Sequence, residues 1–209
     1  MSKPIFITGI GTGIGKTLVS AIVTEALQAH YWKPVQAGFA DGTDTGWIKA
    51  NTSESTVVHP EVYKLAMPAS PHIAAREEGV EIAIDRIVSN KPQSKGPLVV
   101  EGAGGLLVPL NDSQFVADLV IALDAAVILV SRNYLGSINH SLLTAEACRV
   151  RGIPVIGWIF NDHFGSYENE IAGWTKLPVL ASIPFTDRCD RDFVRDQANK
   201  IRSSLTHYI

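Results

Sequence analysis

A glycine stands at every second position from residue 9 to residue 15, and this spacing constrains the fold more than any other feature. Neither a helix nor a strand readily accommodates four glycines so close together, because each adds chain entropy that folding must remove. The segment therefore predicts a turn. It follows the apolar run 5–8, ends in Gly15-Lys16-Thr17 and precedes a stretch of helical period. Strand, glycine turn and helix in this order are typical of a phosphate-binding loop.

The chemistry expected of such a loop follows from its backbone. Its N–H groups turn inward toward phosphate oxygens, and the next helix adds the positive end of its dipole. We expect Lys16 to reach the β- and γ-phosphates and the Thr17 hydroxyl to be a magnesium ligand. The common pattern has four residues before Gly-Lys-Thr, whereas five follow Gly9 here. The loop predicts binding of a nucleoside triphosphate with Mg²⁺.

Short apolar runs alternate with segments of helical period along the whole chain. The predicted strands are residues 4–8, 31–36, 97–101, 125–131, 154–160 and 179–184. The predicted helices are residues 16–30, 82–90, 115–123, 139–151, 167–176 and 191–204. This alternation predicts an α/β fold of the P-loop NTPase type, a mostly parallel β-sheet with helices on both faces, in one domain over residues 1–209.

Two further features of the pattern carry expectations. Residues 40–70 lack a regular pattern and predict a long loop near the site. In the segment 139–151, one broad apolar stripe is predicted. Its members are Leu142, Leu143, Ala145, Ala147 and Val150.

Composition excludes several classes of function. The net charge of −3 shows no basic excess, so a nucleic-acid-binding surface is not favoured. No run of about 18 apolar residues and no signal peptide are present, which predicts a cytoplasmic protein without a membrane partner. Cys148 and Cys189 lie far apart and are expected to be ordinary reduced side chains.

Carboxylates that follow predicted strands are the candidate partners of Thr17 at a magnesium ion. Glu101 ends an apolar strand and precedes a glycine-rich turn. Asp44 is a second candidate, and Asp41 competes with it, because loop aspartates are common. Lys33 ends another short run, where it is either a solvated surface charge or a second cation for a phosphoryl group or an anionic substrate.

Taken together, these motifs resemble the ATP-dependent dethiobiotin synthetase family. The resemblance extends from the loop at residues 9–17, whose five-residue spacing the family shares, to about Pro184. It also includes Lys33-Pro34-Val35, Thr43-Asp44, residues 70–74, residues 101–105, residues 135–140, Asn161-Asp162 and residues 183–185. The family closes a cyclic urea from 7,8-diaminononanoate, CO₂ and ATP, through a carbamate and a carbamic–phosphoric anhydride.

The resemblance implies a set of site residues. Lys16 and Lys33 would be catalytic, and Thr17, Asp44 and Glu101 would hold Mg²⁺. ATP would contact Gly13, Ile14, Gly15, Lys16, Thr17, Leu18, Asp44, Glu101, Gly102, Ala103, Gly104, Asn161, Asp162, Pro184, Phe185 and Thr186. The substrate would contact Thr12, Lys33, Leu135, Gly136, Ser137 and Asn139, and residues 135–140 would reach it across a homodimer interface.

The sequence also departs from the family pattern. Ala37 replaces a hydroxyl residue, Gly13 replaces a glutamate of some members, and only Asp190 is available for an adenine-side carboxylate around residues 188–192. The stretch from Lys16 to Lys33 is about six residues short, which predicts a very tight turn between helix and strand.

Two related classes are alternatives. Partition and cell-division ATPases carry a signature lysine where this chain has Gly11, and cobyrinate-type amide synthetases need a second domain.

Overall fold

The computed structural model describes residues 3–162 and 167–208. Its strands are β1 (Ile5–Gly9), β2 (His30–Trp32), β3 (Val35–Ala37), β4 (Val58–His59), β5 (Tyr63–Leu65), β6 (Leu98–Glu101), β7 (Ala126–Arg132), β8 (Val155–Asn161) and β9 (Val179–Ile183). Its helices are α1 (Lys16–Leu27), α2 (Asp44–Asn51), α3 (Pro71–Glu77), α4 (Ile84–Ser89), α5 (Val116–Ala122), α6 (Ser137–Val150), α7 (Glu168–Thr175) and α8 (Arg191–Tyr208).

Seven strands form one sheet in the order β4-β2-β6-β1-β7-β8-β9, while β3 and β5 pair separately. Within the described residues every strand pairing in these two sheets is parallel, as predicted. Because β1 lies in the middle, the loop that follows it emerges at the centre of the carboxyl edge. Ligands of parallel sheets bind at that edge.

Helices cover both faces of the sheet, which confirms the predicted layering. Alternate residues of β1 show this: Phe6 belongs to one apolar cluster, and Ile5 and Ile7 to the other. The cluster around Phe6 takes side chains from α3 to α7. The opposite cluster takes them from α1, α2 and α8. Strands buried on both faces explain the continuous apolar runs of the sequence.

The connection between α1 and β2 is as tight as the shortened segment predicts. Helix α1 ends at Leu27, and only Gln28 and Ala29 precede β2. Gln28 adopts a left-handed conformation with φ of 49°, and the Ala29 N–H donates to the Thr24 carbonyl at 2.9 Å. This hydrogen bond is that of a Schellman cap, which reverses the chain in two residues.

Two predictions of local structure were wrong. The run 31–36 is not one strand: it divides into β2 and β3, which belong to different sheets, on either side of Lys33 and Pro34. Proline has no N–H for a strand ladder, so the pairing ends there. The segment 40–70 is not one long loop, because it contains α2, β4 and β5.

The apolar stripe predicted in α6 is also wrong as a buried face. Leu143 and Val150 are 59% and 68% exposed, whereas Ser137, Ser141 and Cys148 are buried against the sheet. The Ser131 and Ser141 hydroxyls lie 3.0 Å apart and satisfy each other in this interface. The buried face of α6 thus combines these polar side chains with the partly buried Ala145 and Ala147, while Leu143 and Val150 stay exposed.

Helix α8 extends four residues beyond its predicted end and packs on α1 and the edge strand β9. Its buried side chains include Val194, Ala198, Ile201 and Leu205. No helix of the described residues is both long enough and apolar enough to cross a bilayer.

Candidate active site

The glycine loop lies between β1 and α1 and is closed against the end of β8. Gly13 and Gly15 have φ values of 72° and 87°, in the left-handed region that glycine enters without strain. The Asn161 amide donates to the Ile14 carbonyl at 3.0 Å. A Cβ atom on Gly15 would approach the Asn161 side-chain nitrogen to 1.8 Å, so only glycine fits there. The loop shape therefore depends on a residue from a distant strand.

Lys16 begins α1 and points back over the loop, where its ammonium group donates to the Gly11 carbonyl at 2.7 Å. Burial lowers the pKa of Lys16 to about 8, and the nearby charge of Glu101 opposes this effect. Among the described residues, the Gly11 carbonyl is the one hydrogen-bond partner of the Lys16 ammonium group. Such a cation gains free energy when an anion enters the loop.

Three oxygen atoms converge next to the loop. The Thr17 hydroxyl lies 2.8 Å from Asp44 Oδ1 and 2.9 Å from Glu101 Oε1. One hydroxyl proton cannot serve both carboxylates at once, whereas a divalent cation can. A hydroxyl with two carboxylates is the hard-oxygen donor set that suits Mg²⁺ alongside phosphate oxygens. The residues present therefore fit a nucleotide-bound magnesium ion.

Asp41 and Asp44 occupy different positions relative to Thr17. Asp44 is the first residue of α2 and contacts Thr17, whereas Asp41 is exposed in the preceding turn. Thr43 caps α2 by accepting a hydrogen bond from the Gly46 N–H at 2.9 Å. No group of three or more His, Cys, Asp or Glu side chains in the described ranges could hold a metal without further ligands.

Lys33 is not a solvated surface charge, since its side chain is only 5% exposed. Its ammonium group lies 2.8 Å from Asp44 Oδ2 and 2.9 Å from Glu101 Oε1. Burial alone would lower the pKa of Lys33, but the Glu101 and Asp44 charges outweigh it and raise the pKa. Burial likewise favours the neutral form of Asp44, yet Lys33 holds the pKa of Asp44 below its ordinary value. Both shifts favour Lys33 as a cation and Asp44 as an anion.

Sequence reasoning missed two residues that orient the carboxylates. The buried Tyr31 hydroxyl donates to Glu101 Oε2 at 2.8 Å. Burial, with the Glu101 charge, raises the pKa of Tyr31 well above its ordinary value, so Tyr31 remains a donor. The Gln36 side chain accepts from the Asp44 N–H at 3.2 Å and donates to the Gly38 carbonyl at 2.8 Å. No local pattern marks Tyr31, because its contact with Glu101 depends on how β2 pairs with β6.

A cavity of about 780 Å³ opens at this point. It falls within the roughly 300–1,000 Å³ range of small-molecule sites. Predicted site residues in its wall are Thr12, Gly13, Gly15, Lys16, Thr17, Lys33, Asp44, Glu101, Ala103 and Gly104. Gln36, Ala37, Val108 and residues 68–71 complete the wall. Ala37 faces this cavity with a methyl group, so no hydroxyl is offered there.

The predicted adenine-side residues lie at the same sheet edge but outside this cavity wall. Asp162 pairs with Arg132 at 2.7 Å, and its N–H donates to the Ile183 carbonyl. Pro184, Phe185 and Thr186 follow β9, and Phe185 is 62% exposed. Asp190 accepts from the Phe193 N–H at 3.0 Å, which makes it a cap of α8.

Two other predicted ATP contacts, Leu18 and Gly102, do not line the 780 Å³ cavity. Leu18 is partly buried and packs on the apolar cluster that includes α1, α2 and α8. The Gly102 N–H donates to the Ile7 carbonyl at 3.0 Å, which fixes the start of the turn after β6.

The predicted substrate segment does not reach the 780 Å³ cavity of its own chain. Leu135 is 88% exposed and lines a neighbouring cavity of about 570 Å³ with Thr12 and Gly13. Gly136 caps α6 with φ of 103°, Ser137 is buried, and Asn139 is exposed.

The chain has matches among known families and solved structures. A family model described as an AAA domain matches residues 3–192. Among solved structures, the Pyrococcus furiosus cell division ATPase MinD has a TM-score of 0.61 at 12% identity, with 100% of both chains covered. MinD complexed with Mg-ADP from Pyrococcus horikoshii has a TM-score of 0.57 at 14% identity, covering 100% of this chain and 93% of that one. These similarities confirm the P-loop ATPase fold.

Curated relatives are much more similar in sequence. The ATP-dependent dethiobiotin synthetase BioD of Cytophaga hutchinsonii is 56% identical over 202 residues, which are 95% of this chain and 97% of that protein. The enzyme of the same name from Christiangramia forsetii is 46% identical over 207 residues, 98% and 99% of the two chains. On this identity and coverage, the chain belongs to the ATP-dependent dethiobiotin synthetase family.

Proposed function

We propose that this chain is a ligase that closes the ureido ring of dethiobiotin from 7,8-diaminononanoate, CO₂ and ATP. One observation carries the proposal. The oxygen trio of Thr17, Asp44 and Glu101 and the two ammonium groups of Lys16 and Lys33 meet in one cavity beside the glycine loop. Such a site can hold a triphosphate terminus and a second anion together, which this reaction requires.

One of the two anions, the carbamate, forms from the diamine substrate. One amine of the diamine adds to CO₂ and loses a proton, which gives a carbamate. Thr12 and the loop amides face the cavity and can orient it. Lys33 lies in the same wall, where its ammonium group can turn from a carboxylate toward the carbamate. Two anions that repel each other in water are thereby held close enough to react.

Phosphoryl transfer follows at the loop. A carbamate oxygen attacks the γ-phosphorus of ATP, the bond to the β-phosphate oxygen breaks, and ADP leaves. Lys16 stabilises negative charge on the phosphoryl oxygens during this step. Mg²⁺ bound by Thr17, Asp44 and Glu101 would supply charge neutralisation on the phosphate oxygens.

Ring closure needs no nucleophile from the protein. The second amine attacks the carbonyl carbon of the carbamic–phosphoric anhydride, inorganic phosphate leaves, and loss of a proton gives the cyclic urea. The two thiols fit this absence of covalent catalysis. Cys148 is buried, which raises its pKa to about 12, and it does not line the cavity.

We further propose a homodimer in which Leu135, Gly136, Ser137 and Asn139 bind the substrate of the partner chain. Support comes from the exposed apolar side chains of α6, α7 and the residues just before α6, namely Leu135, Leu143, Val150 and Trp174. Exposed apolar patches of this kind mark association surfaces. A single cytoplasmic domain acting on small molecules, without nucleic acid or membrane, completes the proposal.

A phosphate-release assay tests this function. With Mg-ATP present, diaminononanoate and bicarbonate together should stimulate release, and mass spectrometry should detect dethiobiotin. Omission of either compound should remove the stimulation. Release that ignores the diamine but rises with DNA or liposomes would instead identify a switch of the partition or cell-division class.

A further inference from the structure

We propose that Tyr31 makes the site selective for Mg²⁺ over Ca²⁺ by occupying the second oxygen of Glu101. The inference rests on the proposed function, since it concerns the cation that accompanies ATP. It assigns Tyr31 a positioning role, exerted through Glu101 and not through contact with substrate.

The sheet places Tyr31 beside Glu101 through strand register. Tyr31 of β2 pairs with Val99 of β6, and Glu101 lies two residues further along the same face. The Tyr31 side chain is fully buried, in the apolar cluster formed with α1, α2 and α8. Close packing around the ring leaves the hydroxyl one direction, toward Glu101.

The two oxygens of Glu101 have different partners. Oε2 accepts the Tyr31 hydroxyl at 2.8 Å, while Oε1 accepts the Thr17 hydroxyl and the Lys33 ammonium group, each at 2.9 Å. Thr17 and Lys33 face the cavity, whereas Tyr31 lies behind the carboxylate within the core. Glu101 therefore presents one oxygen to the cavity and keeps the other bound to the core.

A carboxylate restricted in this way distinguishes the two cations. Mg²⁺ requires octahedral coordination at about 2.0–2.1 Å and takes one or two carboxylates with phosphates and waters. Ca²⁺ takes about 6–8 oxygens at 2.3–2.6 Å and often uses both oxygens of a carboxylate. The Tyr31 hydroxyl withholds the second oxygen from the larger ion, at little cost to the smaller one.

Removal of that hydroxyl tests the inference. A fluorescent non-hydrolysable ATP analogue is titrated into wild type and Tyr31→Phe at graded MgCl₂ or CaCl₂, to obtain an apparent constant for each cation. The ratio of Mg²⁺ to Ca²⁺ affinity should fall about tenfold in Tyr31→Phe, the order seen when a ligand loses its outer partner. Phenylalanine keeps the ring packing, and thermal melting with the analogue present checks the fold.

Tyr63→Phe is the matched control. Tyr63 is 4% exposed, and its hydroxyl accepts from the Ala83 N–H at 3.0 Å, away from the carboxylates. This variant should keep the wild-type ratio. In a Glu101→Gln background, Tyr31→Phe should no longer change the ratio, because the coupling passes through Glu101.

Two results would overturn the inference, and they are distinguishable. If the ratio in Tyr31→Phe equals that of wild type, whether both affinities stay or fall together, Tyr31 does not select the cation. If wild type binds the analogue equally well without either cation, the proposed metal site itself is wrong, and this is visible before any variant is made.

Discussion

Lys33 is the residue on which the electrostatics of the site depend most. It is the cation between Asp44 and Glu101, and its side chain is nearly inaccessible to water. Loss of one partner from a buried ion pair costs about 3–5 kcal/mol, because the remaining charge has no compensation. Lys33 therefore maintains two adjacent carboxylates before any ligand binds, in addition to the anion contact proposed for it.

Replacement of Lys33 by methionine should separate its stabilisation of the two carboxylates from its proposed contact with a bound anion. Lys33→Met should lower kcat by at least about 10²-fold, the order expected when a charge that stabilises a transition state is lost. Its urea midpoint should fall in EDTA and recover when Mg²⁺ and the ATP analogue are added, because the cation replaces the lost charge. Lys3→Met, which breaks the exposed pair with Asp124, should change neither quantity. Full turnover in Lys33→Met would refute the assigned role.

For single residues, the sequence identified charged and hydroxyl side chains of the candidate site better than the contacts between side chains. Lys16, Thr17 and Glu101 could be named because each follows a strand or ends the glycine loop, positions that a parallel sheet brings to one edge. Tyr31 could not be assigned, because its contact with Glu101 depends on the register between β2 and β6. Register is a property of paired strands and leaves no mark in either segment alone.

For helices and strands as well, the local sequence pattern does not reveal which strands pair. The start of α1 follows from local pattern, since a glycine loop separates an apolar run from a helical one, but α1 ends at Leu27, three residues before its predicted end. The run 31–36 also had a uniform pattern, yet it contributes to two sheets. Pro34 ends the first pairing, but the second partner, β5, lies in a segment with no clear periodicity.

The tight turn after α1 supports a stability prediction. Gln28 holds a left-handed conformation, which costs an L-residue roughly 1–2 kcal/mol and glycine far less. Gln28→Gly should therefore stabilise the protein by about 0.5–1 kcal/mol, after the added entropy of the unfolded chain is subtracted. Urea unfolding measures the change. Gln93→Gly, at an exposed site without positive φ, should be neutral or destabilising, and equal effects of both variants would contradict the explanation.

The pairing of β2 with β4 should be sensitive to acid. The His30 and His59 rings are stacked, with Nδ1 and Nε2 2.9 Å apart. Burial, aided by the His30 charge, lowers the folded-state pKa of His59 below its usual 6.5. The unfolded chain then binds more protons between the two pKa values, so this contribution is complete above pH 6.5 and is lost as pH falls toward the folded pKa.

A comparison of pH profiles checks this. Urea midpoints of wild type and His59→Gln, measured between about pH 7.5 and 5, should differ in slope, with the variant losing less stability on acidification. His72→Gln, whose ring lies next to Ser70 instead, should retain the wild-type slope. Parallel profiles for wild type and His59→Gln would show that the imidazole pair does not contribute.

At the scale of the whole molecule, the proposed homodimer would bring residues of one chain to the site of the other. Leu135 and Asn139 are exposed and do not line the cavity that holds Lys33. Leu143 and Val150 of α6 are also exposed apolar side chains. Leu143→Glu should therefore give a monomer in sedimentation experiments, and Val57→Glu, at the opposite edge of the sheet, should not.

Subunit mixing tests whether Asn139 acts on the partner site. Lys33→Met and Asn139→Ala should each have little activity alone. In a mixed dimer, the chain with intact Lys33 receives intact Asn139 from the other chain, so one of its two sites is complete. An equal mixture that exchanges subunits should regain about a quarter of wild-type turnover, because half of the dimers are mixed and each has one such site. If Asn139 served its own chain, every site would lack one residue and the mixture would remain inactive. Addition of Leu143→Glu to both variants should abolish the recovery, since the complete site exists only in the dimer.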